Sequence, residues 1–430
     1  MLASLPVVIL PAYAIGASEL RCCLMTLRDR GLLDRVLLVA DPGSLDADSP
    51  PAAIADDMAD PARVIDRIAA WGKDHNTAFD AVVGIDEELH FSLSRGIASR
   101  FGLAFHTERT CLLASNKYLC KQAFLDHGVP TSPFALISEP DLETATRIGY
   151  PNVLKVMSGT QSQFLFRSDT PEEFVTHFGR MTKAARETRK DPRFDPQVLP
   201  PSGQILDPRS QFLLESFVSG TEYSCDFLVR SGAVDLVRVT RKIPGPVLGI
   251  FGGYLLLDPS ALDREGFDRA ALLSLCRDIA RAFEISDGLC MVDFKGQAGR
   301  LTVLESSVRP GFSAFNHLMY QVYGYTSLAL MTMAAMKEPV TLLPPSAAGA
   351  VVYLIAPPGA EKAPIDTSRL QHREKELGIT ALHLFDVEGS VSDVDPTPLL
   401  RGYVLLRQPN GDTLEATVAA VHASVDFGDA

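Results

Sequence analysis

The chain of 430 residues exceeds the usual length of one domain, so we expect several compact units, each with its own core. Hydrophobic residues make up 46% and charged residues 22% of the sequence, a balance that excludes a disordered chain. The 40 Lys and Arg against 53 Asp and Glu give a formal net charge of −13. This charge argues against general nucleic-acid binding, although local cations can still hold a small anion.

The opening segment and the cysteines bear on location. The first twenty residues are apolar but lack a basic start and are interrupted by Pro6 and Pro11, unlike a signal peptide. No apolar run has the length of a bilayer span. The seven cysteines lack the spacing of a zinc site, so we expect reduced thiols. We therefore expect a cytoplasmic protein with no membrane partner and no nucleic-acid partner.

The first 110 residues alternate strands and helices. Strands at 6–10 and 35–40 flank a helix at 19–30, and a helix at 61–73 leads to the strand AVVGI and the acidic segment DEEL. This order predicts an open parallel sheet. The GASEL segment after the first strand has a single glycine and does not match a dinucleotide-binding fingerprint.

The next part of the chain predicts a small α+β unit. A helix at 117–127 precedes strands at 132–138, 152–157 and 164–168, and another helix begins after residue 169. Residues 183–211 carry five prolines and ten charges with little apolar periodicity. We interpret them as a long surface excursion and a candidate mobile lid.

Strand patterns then return, at 212–218, 223–229 and 234–240, followed by a helix at 267–283. The segments GLCMVDFK and RLTVLES are joined by a turn at 296–299, which predicts a hairpin. A proline-rich stretch marks a boundary near residue 345. Beyond it we expect a small β-rich domain with one helical stretch at 368–377.

The predicted hairpin carries a candidate metal site. It would bring Asp293 and Glu305 side by side, with Ser307 facing the same way. Hard oxygen ligands suit Mg²⁺, which also takes phosphate ligands, so this group implies a bound polyphosphate. The alternative is an ordinary solvated face of a hairpin.

Two lysines are candidate phosphate ligands. Lys155 lies in an otherwise apolar strand and Lys117 opens the preceding helix. The loop SGTQSQ at 158–163 offers small residues whose backbone N–H groups could cradle phosphate oxygens. The alternative is a lysine whose stem packs on apolar surface while its ammonium reaches solvent.

A third segment, LLESFVSGTEYSCDF, could bind a nucleoside. Glu222 could accept hydrogen bonds from a ribose, and the backbone at 216–218 could face adenine. An ordinary strand, turn and strand would also explain this segment. Arg241 and Lys242 are candidates for binding a substrate carboxylate, with a surface role as the alternative.

Five motifs, taken in order, resemble those of the ATP-grasp superfamily, over roughly residues 110–340: NK at 116–117, VLKVMSGT at 153–160, LLESFVSGTEYS at 213–224, MVDFK at 291–295 and LESSVRPG at 304–311. The whole layout is similar to that of the dipeptide-forming L-amino-acid ligases. The resemblance implies a multidomain α/β and α+β protein with an ATP-grasp fold. Its expected parts are a Rossmann-like pre-ATP-grasp domain at 1–110, a small subdomain with a linker helix at 111–214, a large subdomain with the metal site at 215–343 and a β-rich domain at 344–430.

The resemblance also implies ATP and Mg²⁺, with Mn²⁺ as a second candidate metal, and gives each site residue a role. It implies phosphate binding by Lys117, Lys155, Ser158, Gly159 and Ser162, adenine binding by Glu215, Ser216 and Val218, ribose binding by Glu222, metal binding by Asp293, Glu305 and Ser307, and stabilisation of an acyl phosphate by Arg309.

The implied activity is amide or peptide bond formation between a carboxylate and an amine through an acyl phosphate, with ADP and phosphate released. Amino acids or small carboxylic acids are the expected substrates, and a homodimer is a candidate assembly. One alternative is a ligase that loads an acyl group onto a carrier protein. Another is a non-catalytic nucleotide-binding regulator, because Ser307 stands where the family usually has Asn.

Overall fold

The computed structural model describes residues 7–13, 15–45, 49–87, 91–159, 163–188, 191–199, 203–312, 314–386, 390–392, 394–408 and 413–428. Within these ranges no helix is both long enough and apolar enough to cross a membrane. Three of the sheets position the candidate site.

The first sheet is parallel, which confirms the open parallel sheet predicted for the first 110 residues. Its strands are β1 (Val7–Pro11), β2 (Val36–Ala40), β3 (Ala53–Ala55) and β4 (Phe79–Val82), in the order β3-β2-β1-β4. The helices here are α1 (Ala17–Asp29), α2 (Pro61–Asp74) and α3 (Ser92–Phe101). β1 and β2 are buried throughout, as expected for parallel strands covered on both faces.

The second sheet is antiparallel, with the order β5-β10-β6-β7. The described elements of this part are the helices α4 (Glu108–Ser115), α5 (Lys117–Asp126), α6 (Leu142–Ile148) and α7 (Pro171–Glu187), and the strands β5 (Phe134–Ile137), β6 (Asn152–Lys155), β7 (Leu165–Ser168), β8 (Gln197–Leu199), β9 (Gln204–Leu206) and β10 (Phe212–Ser216). The predicted excursion at 183–211 contains the end of α7 and the hairpin of β8 and β9.

The third sheet has eight strands in the order β15-β14-β11-β12-β13-β16-β19-β18. The remaining strands are β11 (Thr221–Arg230), β12 (Ala233–Pro244), β13 (Phe251–Leu257), β14 (Gly288–Gln297), β15 (Arg300–Ser307), β16 (Ala348–Ile355), β17 (Ile365–Asp366), β18 (Ile379–Leu384), β19 (Leu400–Gln408) and β20 (Asp426–Phe427). The remaining helices are α8 (Arg269–Ala282), α9 (Phe315–Tyr323), α10 (Ser327–Ala335), α11 (Ser368–His372), α12 (Glu374–Leu377) and α13 (Leu414–His422).

Two cores lie on the two faces of β11 in the eight-stranded sheet. Phe227 and other odd-numbered residues of β11 pack against α8, in a cluster that includes Leu275. Leu228 faces the other way, in a cluster where α9 and α10 join this sheet to the first one. The even-numbered positions of β11 therefore face α9, α10 and the N-terminal unit. This face carries the candidate site.

The sheet runs across two of the expected domain boundaries. The boundary at 214/215 falls inside β10, and the region at 344–430 adds β16, β19 and β18 to the sheet that contains β13. β13 was not predicted, because its glycines resemble a loop; a Cβ on Gly253 would lie 2.5 Å from the Val351 carbonyl oxygen, so glycine allows β16 to pair. The domain boundaries stay predictions. The helical stretch at 368–377 is in fact two short helices separated by Arg373.

Leu255 of β13 tests whether the terminal region shares a core with the rest of the sheet. It is buried in a cluster with Val352 and Val404. We expect Leu255→Ala to lower the free energy of unfolding by about 2–5 kcal/mol through lost contacts and a cavity. Urea unfolding would measure it, with Leu343→Ala, at an exposed position, as the control. Equal small effects of both substitutions would contradict this packing.

Candidate active site

The candidate metal residues lie in register on two neighbouring strands. Asp293 on β14 pairs with Ser224 on β11 and with Glu305 on β15. Ser307 lies two residues beyond Glu305 and shares its face, because side chains alternate along a strand. The predicted hairpin, with Asp293 opposite Glu305, is confirmed.

Lys117, at the start of α5, extends its side chain to the metal hairpin. The side chain of Asn116 accepts hydrogen bonds from two backbone N–H groups of α5, which places Lys117 at the first helical position. The Lys117 ammonium lies 3.0 Å from a carboxylate oxygen of Glu305 and donates to the Gly159 carbonyl at 2.8 Å. The α5 start, the candidate phosphate loop and the metal hairpin therefore meet at one side chain.

Three lysines lower the pKa of Glu305. Burial alone would raise this pKa, but Lys117, Lys155 and Lys242 outweigh burial and hold it at about 2. Lysines from α5, β6 and β12 thus act on one carboxylate. The predicted convergence of Lys117 and Lys155 on the metal hairpin agrees with this arrangement.

Glu215 is the centre of a second, largely buried cluster. Its carboxylate forms ion pairs with Lys155 and with Lys121, the latter at 2.7 Å, and accepts the Ser132 hydroxyl at 2.8 Å. Sequence reasoning missed Lys121, although it follows Lys117 by four residues and so lies on the same side of α5. Burial would raise the pKa of Glu215, but the two ammonium groups hold it at about 2.

Lys242 lies between two of the predicted acidic ligands. Its ammonium is 2.8 Å from Glu222 and 2.8 Å from Asp293, and the acidic pair raises its pKa against the opposing effect of burial. Arg241, the next residue along β12, instead pairs with Glu415 and with Glu265. The two candidates for binding a substrate carboxylate therefore have separate surroundings, and only Lys242 lies at the site.

The oxygens on the metal hairpin fit a divalent cation. Oδ1 of Asp293 and Oγ of Ser307 are buried, and the described residues give neither a hydrogen-bond partner. Buried oxygens of this kind are stabilised by a cation or a donor. Among the described residues no group of three or more His, Cys, Asp or Glu could hold a metal. Any metal here would thus need further ligands, as phosphate oxygens could provide.

The predicted nucleoside and phosphate residues surround the two clusters. Ser158 is buried and accepts a long hydrogen bond, 3.4 Å, from Gln197 of the β8–β9 hairpin. The Ser216 N–H donates to the Pro133 carbonyl at 2.9 Å, so this N–H is not available to adenine. Val218 is half-buried. The roles of these residues stay predictions, and Ser162 lies outside the described residues.

A cavity of about 870 Å³ opens beside the metal hairpin, and Asp293, Glu305 and Arg309 line it. The Arg309 guanidinium pairs with Glu87, which lies in the loop after β4, and donates to the Pro310 carbonyl at 2.9 Å. Sequence reasoning recorded the acidic segment that contains Glu87 but gave it no role. The first unit of the chain therefore contributes to the site through this ion pair.

A buried ion pair supports the loop that carries Arg309. Arg238 and Asp226, both fully buried, form two hydrogen bonds, of 3.1 and 2.7 Å. Asp226 also accepts the Gly311 N–H at 3.0 Å, and a Cβ on Gly311 would lie 2.6 Å from the Arg238 guanidinium. The segment after Arg309 thus rests directly on this pair and requires glycine there.

Comparisons with known proteins bear on the fold, although no protein-family model matches the chain. The L-arginine-specific L-amino acid ligase of Bacillus subtilis is 23% identical over 329 residues, 73% of this chain and 71% of that protein. The L-amino acid ligase of Bacillus licheniformis superposes with a TM-score of 0.72 at 16% identity, covering 99% of each chain. The purK N5-carboxyaminoimidazole ribonucleotide synthetase, in its ADP complex, superposes with a TM-score of 0.67 at 16% identity, covering 98% of this chain and 97% of that chain.

The chain has the fold of these ATP-grasp enzymes. The mixed α/β architecture expected for the ATP-grasp fold is confirmed. The second sheet and the eight-stranded sheet are the two parts that carry the lysine and carboxylate clusters.

The pKa of Glu215 gives a pH test of the buried lysine cluster. Because the pKa is about 2 in the folded protein and 4.5 as its ordinary value, the ionised carboxylate stabilises the fold fully above pH 4.5 and loses this effect as the pH falls toward 2. The free-energy difference between wild type and Glu215→Gln should shrink accordingly. Urea unfolding from about pH 6 to about pH 3 would measure it. A difference that stays constant over this range would contradict the ion pairs.

The Asp226–Arg238 pair gives a stability test. We expect Asp226→Ala to lower the free energy of unfolding by about 3–5 kcal/mol, because the guanidinium is left buried without its partner. The double variant with Asp226→Leu and Arg238→Met removes both charges and should recover much of this loss. Chemical denaturation of the three proteins would decide; a double variant less stable than Asp226→Ala would contradict the explanation.

Proposed function

We propose that the protein is a ligase that joins a carboxylate to an amine in an amide or peptide bond, with ATP converted to ADP and phosphate. The observation that carries the proposal is the convergence of Lys117, Glu305, Lys242 and Asp293 beside a cavity that also contains Arg309. Cations next to a pair of carboxylates suit a metal-bound polyphosphate, and the cavity offers room for the two groups to be joined.

ATP is the proposed nucleotide. The purK synthetase, which has a similar fold, was crystallised with ADP. We propose that the phosphates contact the lysines of α5 and β6 and the loop after β6, and that adenine lies along the end of β10. The proposed contacts are Lys117, Lys155, Ser158, Gly159 and Ser162 for the phosphates, Glu215, Ser216 and Val218 for adenine, and Glu222 for ribose.

Asp293, Glu305 and Ser307 would hold the Mg²⁺, or Mn²⁺ in its place. The metal would supply positive charge that stabilises the polyphosphate. The hydroxyl of Ser307 is a shorter ligand than an amide, and its orphaned Oγ supports this role. Lys242 and Lys117 already neutralise the two carboxylates, so these lysines would change partners when nucleotide and metal enter.

The proposed reaction has two steps. A substrate carboxylate oxygen attacks the γ-phosphorus and ADP leaves; the amine nitrogen then attacks the acyl carbon and phosphate leaves. Lysines near the γ-phosphate reduce the repulsion between two anions in the first step. Arg309 would stabilise the acyl phosphate and the tetrahedral intermediate that follows, after exchanging Glu87 for the reacting group.

A cavity of about 870 Å³ has the size for small-molecule substrates, and the amino acid ligase names of two similar proteins support amino acids. A homodimer stays a candidate. We keep the cytoplasm as the proposed location, since all seven cysteines are free and buried and burial raises the pKa of thiols such as Cys120.

Two substitutions test the site. Lys155→Ala and Glu305→Ala should each lower amino-acid-dependent ADP release at least about 100-fold, because each removes a charge that acts on the reacting phosphates. Lys73→Ala and Glu143→Ala, at exposed positions, are the matched controls. The assay is ADP release over pairs of amino acids with Mg²⁺, followed by mass spectrometry of the product and circular dichroism of each variant.

Full turnover in Lys155→Ala and in Glu305→Ala would refute the site. Nucleotide binding without ADP release on any acid and amine would refute the ligase reaction and favour a regulator. ADP release that requires an added acyl carrier protein would favour the carrier-loading alternative.

A further inference from the structure

We propose that the cavity selects a substrate with a large aromatic or apolar side chain, received by a wall of rings that the C-terminal strands complete. This inference rests on the proposed function and deepens it, since it names the class of amino acid. The rings belong to two groups, one around Tyr254 and one around Tyr403, and both line the cavity.

The first group surrounds Tyr254 of β13. Its ring lies edge-on to that of Phe315, with centroids 4.4 Å apart, and edge-on to that of Tyr353 at 5.7 Å. Phe251 approaches the same ring at 5.7 Å. Such contacts fix the ring positions, so the apolar surface they present is preformed.

The second group, from β18, β19 and the residue after β18, we call the terminal rings: His383, Phe385 and Tyr403. Their centroids lie 5.3 Å apart for His383 and Tyr403, and 5.9 Å apart for Phe385 and Tyr403. Pro398 and Leu400 add aliphatic surface to the same cavity. Aromatic and aliphatic groups therefore dominate this side of the cavity.

The two sides of the cavity come from different edges of the eight-stranded sheet. Asp293 and Glu305 lie on β14 and β15 at one edge, whereas the terminal rings belong to the β19 and β18 edge. A substrate whose carboxylate lies near Arg309 and the metal hairpin would extend its side chain toward the rings. A short side chain such as that of alanine would leave the terminal rings without contact.

The rings favour a side chain that can be buried without an ionic partner. Two carboxylates also line the cavity: Glu19 is buried and accepts the Gly16 N–H at 3.2 Å at the start of α1, and Asp386 is exposed to solvent. An apolar side chain gains free energy from contact with the ring surface and pays no desolvation of a charge.

The test compares amino acids and variants. With Mg-ATP, we expect phenylalanine, leucine and methionine to exceed alanine and arginine at least about ten-fold in kcat/KM for ADP release. Phe385→Ala should raise the KM for phenylalanine about ten-fold and leave that for alanine within about two-fold. Leu384→Ala is the matched control, since Leu384 is 43% exposed and does not belong to the described lining.

A preference for arginine, or for small polar amino acids, would overturn the inference and leave the ligase reaction standing. Equal effects of Phe385→Ala and Leu384→Ala would overturn it as well. Calorimetric binding of phenylalanine and alanine in the presence of a non-hydrolysable ATP analogue separates the two proposals. Tight phenylalanine binding that is lost in Phe385→Ala, without ADP release, would uphold the pocket and refute the ligase reaction.

Discussion

The site depends on the pairing of lysine ammonium groups with carboxylates inside the protein. Burial of any one of these charges alone would cost several kcal/mol, so each requires its partner in the folded chain. A polyphosphate and a metal would bring the same two kinds of charge. Their entry would let these ammonium groups and carboxylates exchange their present partners for the phosphates and the metal. The paired residues are Lys117 with Glu305, Lys121 and Lys155 with Glu215, and Lys242 with Glu222 and Asp293.

The eight-stranded sheet converts this pairing into a fixed geometry. Registers between β11, β14 and β15 set Asp293 beside Glu305, while the Asp226–Arg238 pair on the same face supports the loop of Arg309. The terminal strands extend the same sheet and carry rings into the cavity. One continuous hydrogen-bonded layer therefore connects the residues proposed for the metal with those proposed for the substrate side chain.

Much of the fold followed from local sequence, and so did the metal hairpin. The turn after β14 fixes the register of two neighbouring strands, which is why Asp293 opposite Glu305 could be predicted. Lys242 could not be assigned to the metal hairpin, because β12 and β14 are separated by β11 in the sheet and no local pattern gives that strand order. The glycines of β13 resembled those of a loop. Glycine occurs both where two strands approach closely and where the chain turns, so the sequence alone does not distinguish the two cases.

The order of the eight strands also constrains how the chain assembles during synthesis. β13 leaves the ribosome long before β16, its neighbour on the outer side, and roughly ninety residues separate their hydrogen-bonding partners. Until the last quarter of the chain emerges, that edge of the nascent sheet has unpaired N–H and C=O groups and an apolar face. Delayed or truncated translation would expose the chain to aggregation at this edge, and helper proteins that shield unpaired strands would act during that interval.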